Sequence, residues 1–240
     1  MALVGTLYIV GTPIGNLEDL TPRAARILSE VSLVAAEDTR RTRQLLTHLG
    51  ISKPMLSVHA DAERGRATQI IEALGHGDVA LCTDAGMPSI SDPGAHLVER
   101  VRDAGYGVAV IPGASAVTAA LALSGFSADR FVFLGFLPRK SSEMTRAVEA
   151  LADETRTAVA FESPYRLLKA LDIIAAVLPQ RSCAVARELT KVHEELRAGT
   201  AKELADHYRK HPPRGEVTIL IEGAPRRRVE KPRGRSREEG

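Results

Sequence analysis

Short apolar runs alternate along the chain with segments in which apolar residues recur at helical spacing. The run Val79–Cys82 is apolar throughout and stops at a turn, which is typical of a strand buried on both faces. Another segment places Thr42, Leu45, Leu46 and Leu49 at i, i+3, i+4 and i+7. That spacing predicts a helix with one buried face. Because strands and helices alternate throughout the chain, we predict an α/β protein.

The pattern also divides the chain into parts. We predict strands at residues 6–10, 33–36, 55–58, 79–82, 108–111, from 131, and at 157–161, 183–186 and 216–221. We predict helices from Pro22 to near Val31, from Thr42, at 63–74, 97–104, 117–123 and 141–153, before Pro179, and at 201–210. The expected domains are an N-terminal α/β domain at 1–113, a C-terminal α/β domain at 114–223 and a basic tail at 224–240.

The turn at residues 83–94 is the richest in candidate chemistry. It follows an apolar strand and is dense in Gly, Pro, Ser and Asp. We expect the next helix to begin at Pro93, with Asp92 as its cap. Open α/β sheets bind ligands at the carboxyl ends of their strands, so the turn predicts a ligand site, although an ordinary strand-to-helix turn would have a similar composition.

Other predicted strands end in similar stretches. The glycine loop at 11–16 follows the first strand, but its spacing is neither that of the dinucleotide fingerprint nor that of the P-loop. Small residues at 112–116 would let a ligand approach the backbone. The second strand delivers Glu37, Asp38 and Arg40 to its end. These charges could bind a polyanion and position a proton acceptor, or they could form a solvated helix start.

Composition narrows the class of protein. The 240 residues are 44% hydrophobic and 26% charged, which is enough to bury a full core. The first residues lack a basic signal-peptide region and no apolar run reaches membrane-spanning length, so we expect a cytoplasmic protein with no membrane association. Cys82 and Cys183 are predicted to be buried, reduced thiols, and two cysteines argue against a structural zinc site.

Charge is concentrated at the carboxyl end. The residues from 224 onward carry seven Lys or Arg and three Glu, a net charge of +4, whereas the whole chain carries +2. With almost no large apolar side chains, this tail is predicted to be disordered. Its sign suits phosphates, and a purely solubilising role is the alternative.

Six motifs together resemble one family. They are Gly11-Thr12-Pro13-Ile14-Gly15-Asn16-Leu17-Glu18-Asp19-Leu20-Thr21, Glu37-Asp38-Thr39-Arg40, the turn at 83–94, Pro112-Gly113-Ala114-Ser115-Ala116, Phe161-Glu162-Ser163-Pro164-Tyr165-Arg166 and Ala186-Arg187-Glu188-Leu189-Thr190-Lys191. In this order, across residues 5–223, they closely resemble the ribosomal small-subunit RNA cytidine 2′-O-methyltransferase I family, a branch of the tetrapyrrole-methylase-like superfamily. The resemblance implies two α/β domains with S-adenosylmethionine in the cleft between them. It also implies a homodimer that methylates the ribose of a decoding-centre cytidine in 16S rRNA of the small subunit.

The resemblance also assigns residues. By position, the cofactor neighbours would be Pro13, Asp84, Met87, Ser115, Ala116, Phe136, Leu137, Ala186, Arg187 and Thr218. The first loop and the turn at 83–85 differ from the G-x-G-P-G-D and G-D-P forms of the porphyrin branch, which favours the RNA branch. One departure lies at His59-Ala60-Asp61-Ala62-Glu63, where the family usually has His-x-His-Asn-Glu, so only His59 could keep a role there.

The expected chemistry needs a proton acceptor but no metal. A ribose hydroxyl is a poor nucleophile at neutral pH, so a nearby group should take its proton or stabilise the developing charge. Glu37, Asp38 and Glu188 are the candidate acceptors. Arg40, Arg187 and Lys191 could steady negative charge or hold phosphates. Two alternatives remain open at this point: a porphyrinoid methylase or diphthine synthase of the same superfamily, and a non-catalytic rRNA-binding assembly factor.

Overall fold

A computed structural model describes residues 5–58 and 63–225 of the chain. The predictions about residues 59–62 and about the tail from residue 226 onward lie outside this part. The strands are β1 (Thr6–Val10), β2 (Leu33–Ala36), β3 (Met55–Ser57), β4 (Val79–Cys82), β5 (Gly107–Ile111), β6 (Phe131–Phe136), β7 (Thr157–Glu162), β8 (Ser182–Arg187), β9 (Glu195–Thr200) and β10 (Val217–Ile221). The helices are α1 (Pro22–Glu30), α2 (Thr39–His48), α3 (Glu63–Leu74), α4 (Ala95–Asp103), α5 (Ala116–Ser124), α6 (Ser141–Glu149), α7 (Pro164–Val177) and α8 (Ala201–Lys210).

The first five strands form one parallel sheet in the order β3-β2-β4-β1-β5. Every residue of β4 is buried, as the unbroken apolar run predicted. Two apolar clusters, one around Leu7 and Leu81 and one around Val10 and Cys82, complete the core of this half. Because all five strands run the same way, the loops that follow β1, β2, β4 and β5 meet at one edge of the sheet.

The second sheet is mixed, with the order β6-β7-β10-β8-β9 and only the β6–β7 pair parallel. Helices α6, α7 and α8 contribute to one apolar cluster with this sheet. Helix α5 packs against it in another cluster, where Val117 and Leu121 join Val159 and Leu220. Helix α5 therefore ties the loop after β5 to the second sheet.

Strand β9 was not predicted, and the reason lies in its position. It pairs with β8 alone, at the edge of the sheet, and none of its residues is fully buried. An edge strand with charged residues and a glycine lacks the apolar run that marks a central strand. The hydrophobic pattern therefore did not distinguish Glu195–Thr200 from a loop.

The prediction that a helix begins at Pro93 with Asp92 as its cap is wrong. Helix α4 begins at Ala95, and its N-cap is Gly94, which has φ +139° and makes no side-chain cap hydrogen bond. Ser89 and Ser91 also have positive φ, at 71° and 64°. This sparsely populated backbone conformation extends the turn by two residues. The N-cap position of α4 therefore belongs to Gly94 and not to Asp92.

Both cysteines are free and buried, as predicted. Burial raises the pKa of each thiol to about 12, so neither is a reactive thiolate at neutral pH. No helix in the described ranges is both long and apolar enough to cross a membrane. Helix α6 ends at Glu149, before the predicted end at 153.

Candidate active site

Two adjoining cavities lie between the two sheets. We call the first the aromatic cavity, because Phe136 and Phe161 form part of its wall; its volume is about 370 Å³. The second, the polar cavity, has a volume of about 340 Å³ and is lined by the loop after β1, by α2 and by Lys191. Ile14, Arg41, Asp84, Ala85 and Glu216 line both. Each volume falls in the range of small-molecule sites, and together they form one continuous cleft.

Three carboxylates from the first sheet face the aromatic cavity: Glu37 after β2, and Asp84 and Asp92 after β4. Backbone amides link two of them, since the amide of Asp84 donates to Oε2 of Glu37 at 3.3 Å. The amide of Asp38 in turn donates to Oδ1 of Asp84 at 3.1 Å. The guanidinium Nε of Arg41 lies 3.5 Å from Oδ2 of Asp84. The ends of β2 and β4 are therefore held together by the carboxylates themselves.

Burial changes the ionisation of this cluster. It raises the pKa of Asp92 to about 6, and the negative charges of Glu37 and Asp84 add to the effect. Burial is also the main cause of the raised pKa of Glu37. Carboxylates with pKa values moved toward neutrality, grouped in a cleft, are typical of functional sites. The cluster favours a positively charged ligand or a proton.

The second sheet contributes an aromatic and partly charged wall. The rings of Phe136 and Phe161 meet edge to face, with centroids 5.5 Å apart, and Phe136 is 58% exposed. Behind them, the fully buried side chain of Glu162 pairs with Arg166, whose Nε donates to Oε1 at 2.6 Å. Its other oxygen, Oε2, is buried and has no hydrogen-bond partner among the described residues. Glu162 belongs to the lining of the cavity, but its side chain is fully buried and is held by Arg166.

The loop after β8 contributes Lys191 to the lining of the polar cavity. Lys191 binds two carboxylates, with Nζ 2.8 Å from Glu188 and 3.0 Å from Glu216. Glu188 also accepts from the amide of Glu216 at 3.0 Å. A Cβ on Gly215 would overlap the Glu188 carboxylate, so the close approach requires glycine there. Glu188 thus fastens two loops together.

The structure separates the predicted site residues into two groups. Those that line the cleft are Pro13, Glu37, Asp84, Ala116, Phe136, Ala186 and Thr218. Those that do not line either cavity are Asp38, Arg40, Met87, Ser115, Leu137, Arg187 and Glu188. Their observed partners explain several of these cases. Arg187, for example, donates from Nε to Glu195 at 3.0 Å, inside the β8–β9 pair.

Asp38 and Arg40 pair with each other outside the cleft. Two guanidinium nitrogens donate to the two oxygens of Asp38 at 3.1 and 2.7 Å. Asp38 also caps α2 by accepting from the amide of Arg40. These hydrogen bonds from Arg40 lower the pKa of Asp38 to about 2, which makes it a poor proton acceptor. This is the solvated helix start that the sequence left open as an alternative.

Four charged residues that line the cleft were not predicted as site residues. They are Arg41, Asp92, Glu162 and Glu216. Asp92 was interpreted as a cap, and Arg41 lies outside the set of residues at i, i+3, i+4 and i+7 that marked the buried face of its helix. Glu162 lies in a recognised motif, and its i, i+4 spacing from Arg166 was the one signal of a charge pair.

Comparison with known proteins identifies the family of the chain. Residues 6–205 match the family model described as tetrapyrrole (corrin/porphyrin) methylases. Among curated proteins, the ribosomal RNA small subunit methyltransferase I of Thermotoga maritima is 47% identical, over 92% of this chain and 99% of its own length. The proteins of the same name from Haemophilus influenzae and Escherichia coli O157:H7 are 45% and 44% identical, over 93% and 91% of this chain and 81% and 78% of their own lengths.

Solved structures share the fold at low identity. A uroporphyrin-III C-methyltransferase from Thermus thermophilus aligns with a TM-score of 0.62 at 19% identity, covering 90% of this chain and 94% of its own. A cobalt precorrin-4 methyltransferase aligns with a TM-score of 0.67 at 18% identity, with the same coverage. The predicted fold class and family are confirmed. The chain belongs to the tetrapyrrole (corrin/porphyrin) methylase family and, within it, to the ribosomal RNA small subunit methyltransferases I.

Proposed function

We propose that the protein transfers a methyl group from S-adenosylmethionine to the ribose 2′-oxygen of a cytidine in 16S rRNA of the small ribosomal subunit. The observation that carries this proposal is identity of 43–47% to ribosomal RNA small subunit methyltransferases I along more than nine tenths of the chain. That similarity includes the segments whose residues line the cleft. A homodimer acting in the cytoplasm on subunits or their precursors is part of the proposal.

The aromatic cavity fits this cofactor in two respects. The edge-to-face rings of Phe136 and Phe161 offer an apolar wall for a purine. The carboxylates of Asp84 and Asp92 suit a ligand that carries positive charge.

The cofactor contacts we propose are the predicted residues that line the cleft. These are Pro13, Asp84, Ala116, Phe136, Ala186 and Thr218. We propose that Met87, Ser115, Leu137 and Arg187 support these contacts from neighbouring positions. Met87, for instance, lies against Gly11 in the loop after β1.

When bound, the cofactor supplies an electrophilic methyl group on a sulfonium centre. The protein's own contribution is to align the ribose hydroxyl and accept its proton. Glu37 and Asp92 are the candidates for the second task, because both line the aromatic cavity beside the polar cavity and burial has raised both pKa values, while leaving Asp92 mostly ionised above pH 6. Asp38, Arg40 and Glu188 are better suited to positioning: Asp38 caps α2, Arg40 in the first turn of that helix pairs with Asp38, and Glu188 holds Lys191 at the polar cavity.

The polar cavity is the proposed place for the target nucleotide. The polar cavity shares Arg41 and Asp84 with the aromatic cavity, so a nucleotide in the polar cavity would lie next to a cofactor in the aromatic cavity. Arg41 is 60% exposed at its side chain and can reach a phosphate without leaving its helix. Thr42 and Gln44 line the same cavity. Their side chains add polar groups for a ribose or base.

The test uses purified protein, radiolabelled S-adenosylmethionine and small subunits from cells that lack the modification. After complete digestion of the RNA, label is expected in 2′-O-methylcytidine. Asp84→Ala should abolish it, because that carboxylate lines both cavities and joins the ends of β2 and β4. Label on a base atom or on protein, or no label at all with properly folded enzyme, would refute the proposed function.

A further inference from the structure

One exposed aromatic side chain stands at the mouth of the aromatic cavity. Tyr165 is 96% exposed, whereas the cavity lining includes the two residues just before it, Ser163 and Pro164. A tyrosine so fully in water buries almost none of its apolar ring. Phe136, which is 58% exposed, also lines this cavity, so two exposed rings with apolar faces are available to a partner.

The backbone under Tyr165 is firmly held. Ser163 caps α7 by accepting from the amide of Tyr165 at 3.3 Å, and Pro164 occupies the first turn. The next residue, Arg166, is anchored by Glu162 and by the carbonyl of Leu137 at 2.8 Å. The ring is therefore presented from a rigid support, which lowers the entropy lost when a partner binds.

Positive charge lies next to this ring. Lys169 is one helical turn further along α7, and its Nζ donates to the carbonyl of Arg139 at 3.1 Å. Arg139 and Lys140 are both exposed and follow β6. We call Tyr165, Lys169, Arg139 and Lys140 the Tyr165 patch. Arg139 makes no ion pair with any residue in the described ranges, so its charge is available to a partner.

Two carboxylates on the same elements are already neutralised. Glu143 lies 3.2 Å from Lys140, and Asp172 pairs with Arg209. The patch keeps a net positive charge although the whole chain carries only +2. A basic surface with an exposed aromatic ring matches single-stranded RNA, whose phosphates take Lys and Arg and whose unstacked bases take aromatic rings.

We propose that the Tyr165 patch binds the rRNA strand that flanks the target cytidine, with one unpaired base stacked on Tyr165 and phosphates held by Lys169 and Arg139. The proposal rests on the proposed function and names the surface by which that substrate is held. A strand lying there covers the mouth of the aromatic cavity, next to Phe136, and so shields that cavity from water.

The first experiment measures binding of full-length protein to undermethylated small subunits and its steady-state kinetics on them. Tyr165→Ala should weaken subunit binding about 5- to 100-fold, raising KM and leaving the dissociation constant for S-adenosylmethionine unchanged. Tyr165→Phe should retain affinity within about twofold, since stacking needs the ring and not the hydroxyl. Tyr165→Leu should behave like Tyr165→Ala.

The second experiment uses salt dependence. Lys169→Ala should lower the slope of log affinity against log salt by about 0.7, the value expected when one phosphate contact to a single strand is lost. Arg102→Ala is the matched control. Arg102 is exposed near the C-terminal end of α4, and this helix leads away from the cleft after β4. Its slope should equal that of the parent.

Three results would overturn the inference while leaving the proposed function standing. The first is a parent enzyme that methylates the subunit while Tyr165→Ala binds and reacts equally well. The second is a Tyr165→Ala variant that binds S-adenosylmethionine as weakly, relative to the parent, as it binds the subunit, which would place Tyr165 in the cofactor site. The third is a change in oligomeric state, which would make the patch a contact between copies. Failure of the parent itself to methylate RNA would instead refute the proposed function.

Discussion

Asp92 offers a sharp test of how the cleft is built. Its ionised carboxylate should lower the free energy of unfolding of the protein without bound ligand. Burial, with the nearby charges of Glu37 and Asp84, raises its pKa from 3.8 to about 6. Between these two values the folded protein binds more protons than the unfolded chain, so stability falls as pH rises through this window. Asp92→Asn removes the charge and should remove this fall.

The magnitude follows from the pKa. A rise from 3.8 to about 6 corresponds to about 3 kcal/mol at about 1.4 kcal/mol per pH unit. Because Asp92 is only half-buried, solvent screening reduces the expected cost to roughly 1 kcal/mol. Asp92→Asn should therefore be about 1 kcal/mol more stable than the parent at pH 7.5 and nearly equal to it at pH 4.

The assay is urea unfolding of parent and variant at several pH values, compared as differences so that other titrating groups cancel. Asp103→Asn is the control, since Asp103 is an exposed carboxylate at the far end of α4. The same variants should be titrated with S-adenosylmethionine. The parent should bind the positively charged S-adenosylmethionine more tightly as pH rises through 6. Asp92→Asn should show no such pH dependence, and above pH 6 its affinity should be about fivefold lower than that of the parent.

An Asp92→Asn variant that is less stable than the parent at pH 7.5 would show that the carboxylate is stabilising and would refute this prediction. A stability difference that does not change with pH would refute it as well. A stabilised variant whose cofactor affinity keeps the parent's pH dependence would confirm the buried charge but remove Asp92 from the cofactor site.

Further predictions concern the cavity wall, the buried ion pair and the tail. Ala116→Phe should fill the aromatic cavity and abolish cofactor binding by calorimetry, whereas Thr118→Phe, exposed on the same helix, should not. Arg166→Ala should lower the free energy of unfolding, measured with urea, by about 3–5 kcal/mol, because it leaves Glu162 buried and unpaired. The double variant Glu162→Gln, Arg166→Met should recover much of this loss. Deleting residues 226–240 should flatten the salt dependence of subunit binding without changing cofactor affinity; an unchanged slope would leave the tail a solubilising role.

The apolar runs of the sequence determined most of the fold. Strands such as β4 and β10 are buried along their whole length, so their composition alone marks them. The turns after β1, β4 and β5 were also recognisable, because Gly, Pro and Ser have backbone preferences that act locally. Together with the family motifs, these features predicted a ligand cleft at the carboxyl ends of these strands. The edge strand β9 was not predicted because it has one neighbouring strand and is partly exposed to solvent. These surroundings place little constraint on which residue types the strand contains.

Only the tertiary structure decided which charges line the candidate cleft. Glu37 and Asp38 are adjacent in sequence, yet one faces the cavity with a raised pKa and the other caps a helix with a lowered one. Asp92 and Glu162 come from different sheets and meet in one cavity. Ionisation depends on burial and on charges brought close by distant parts of the chain, and neither quantity is encoded in local spacing.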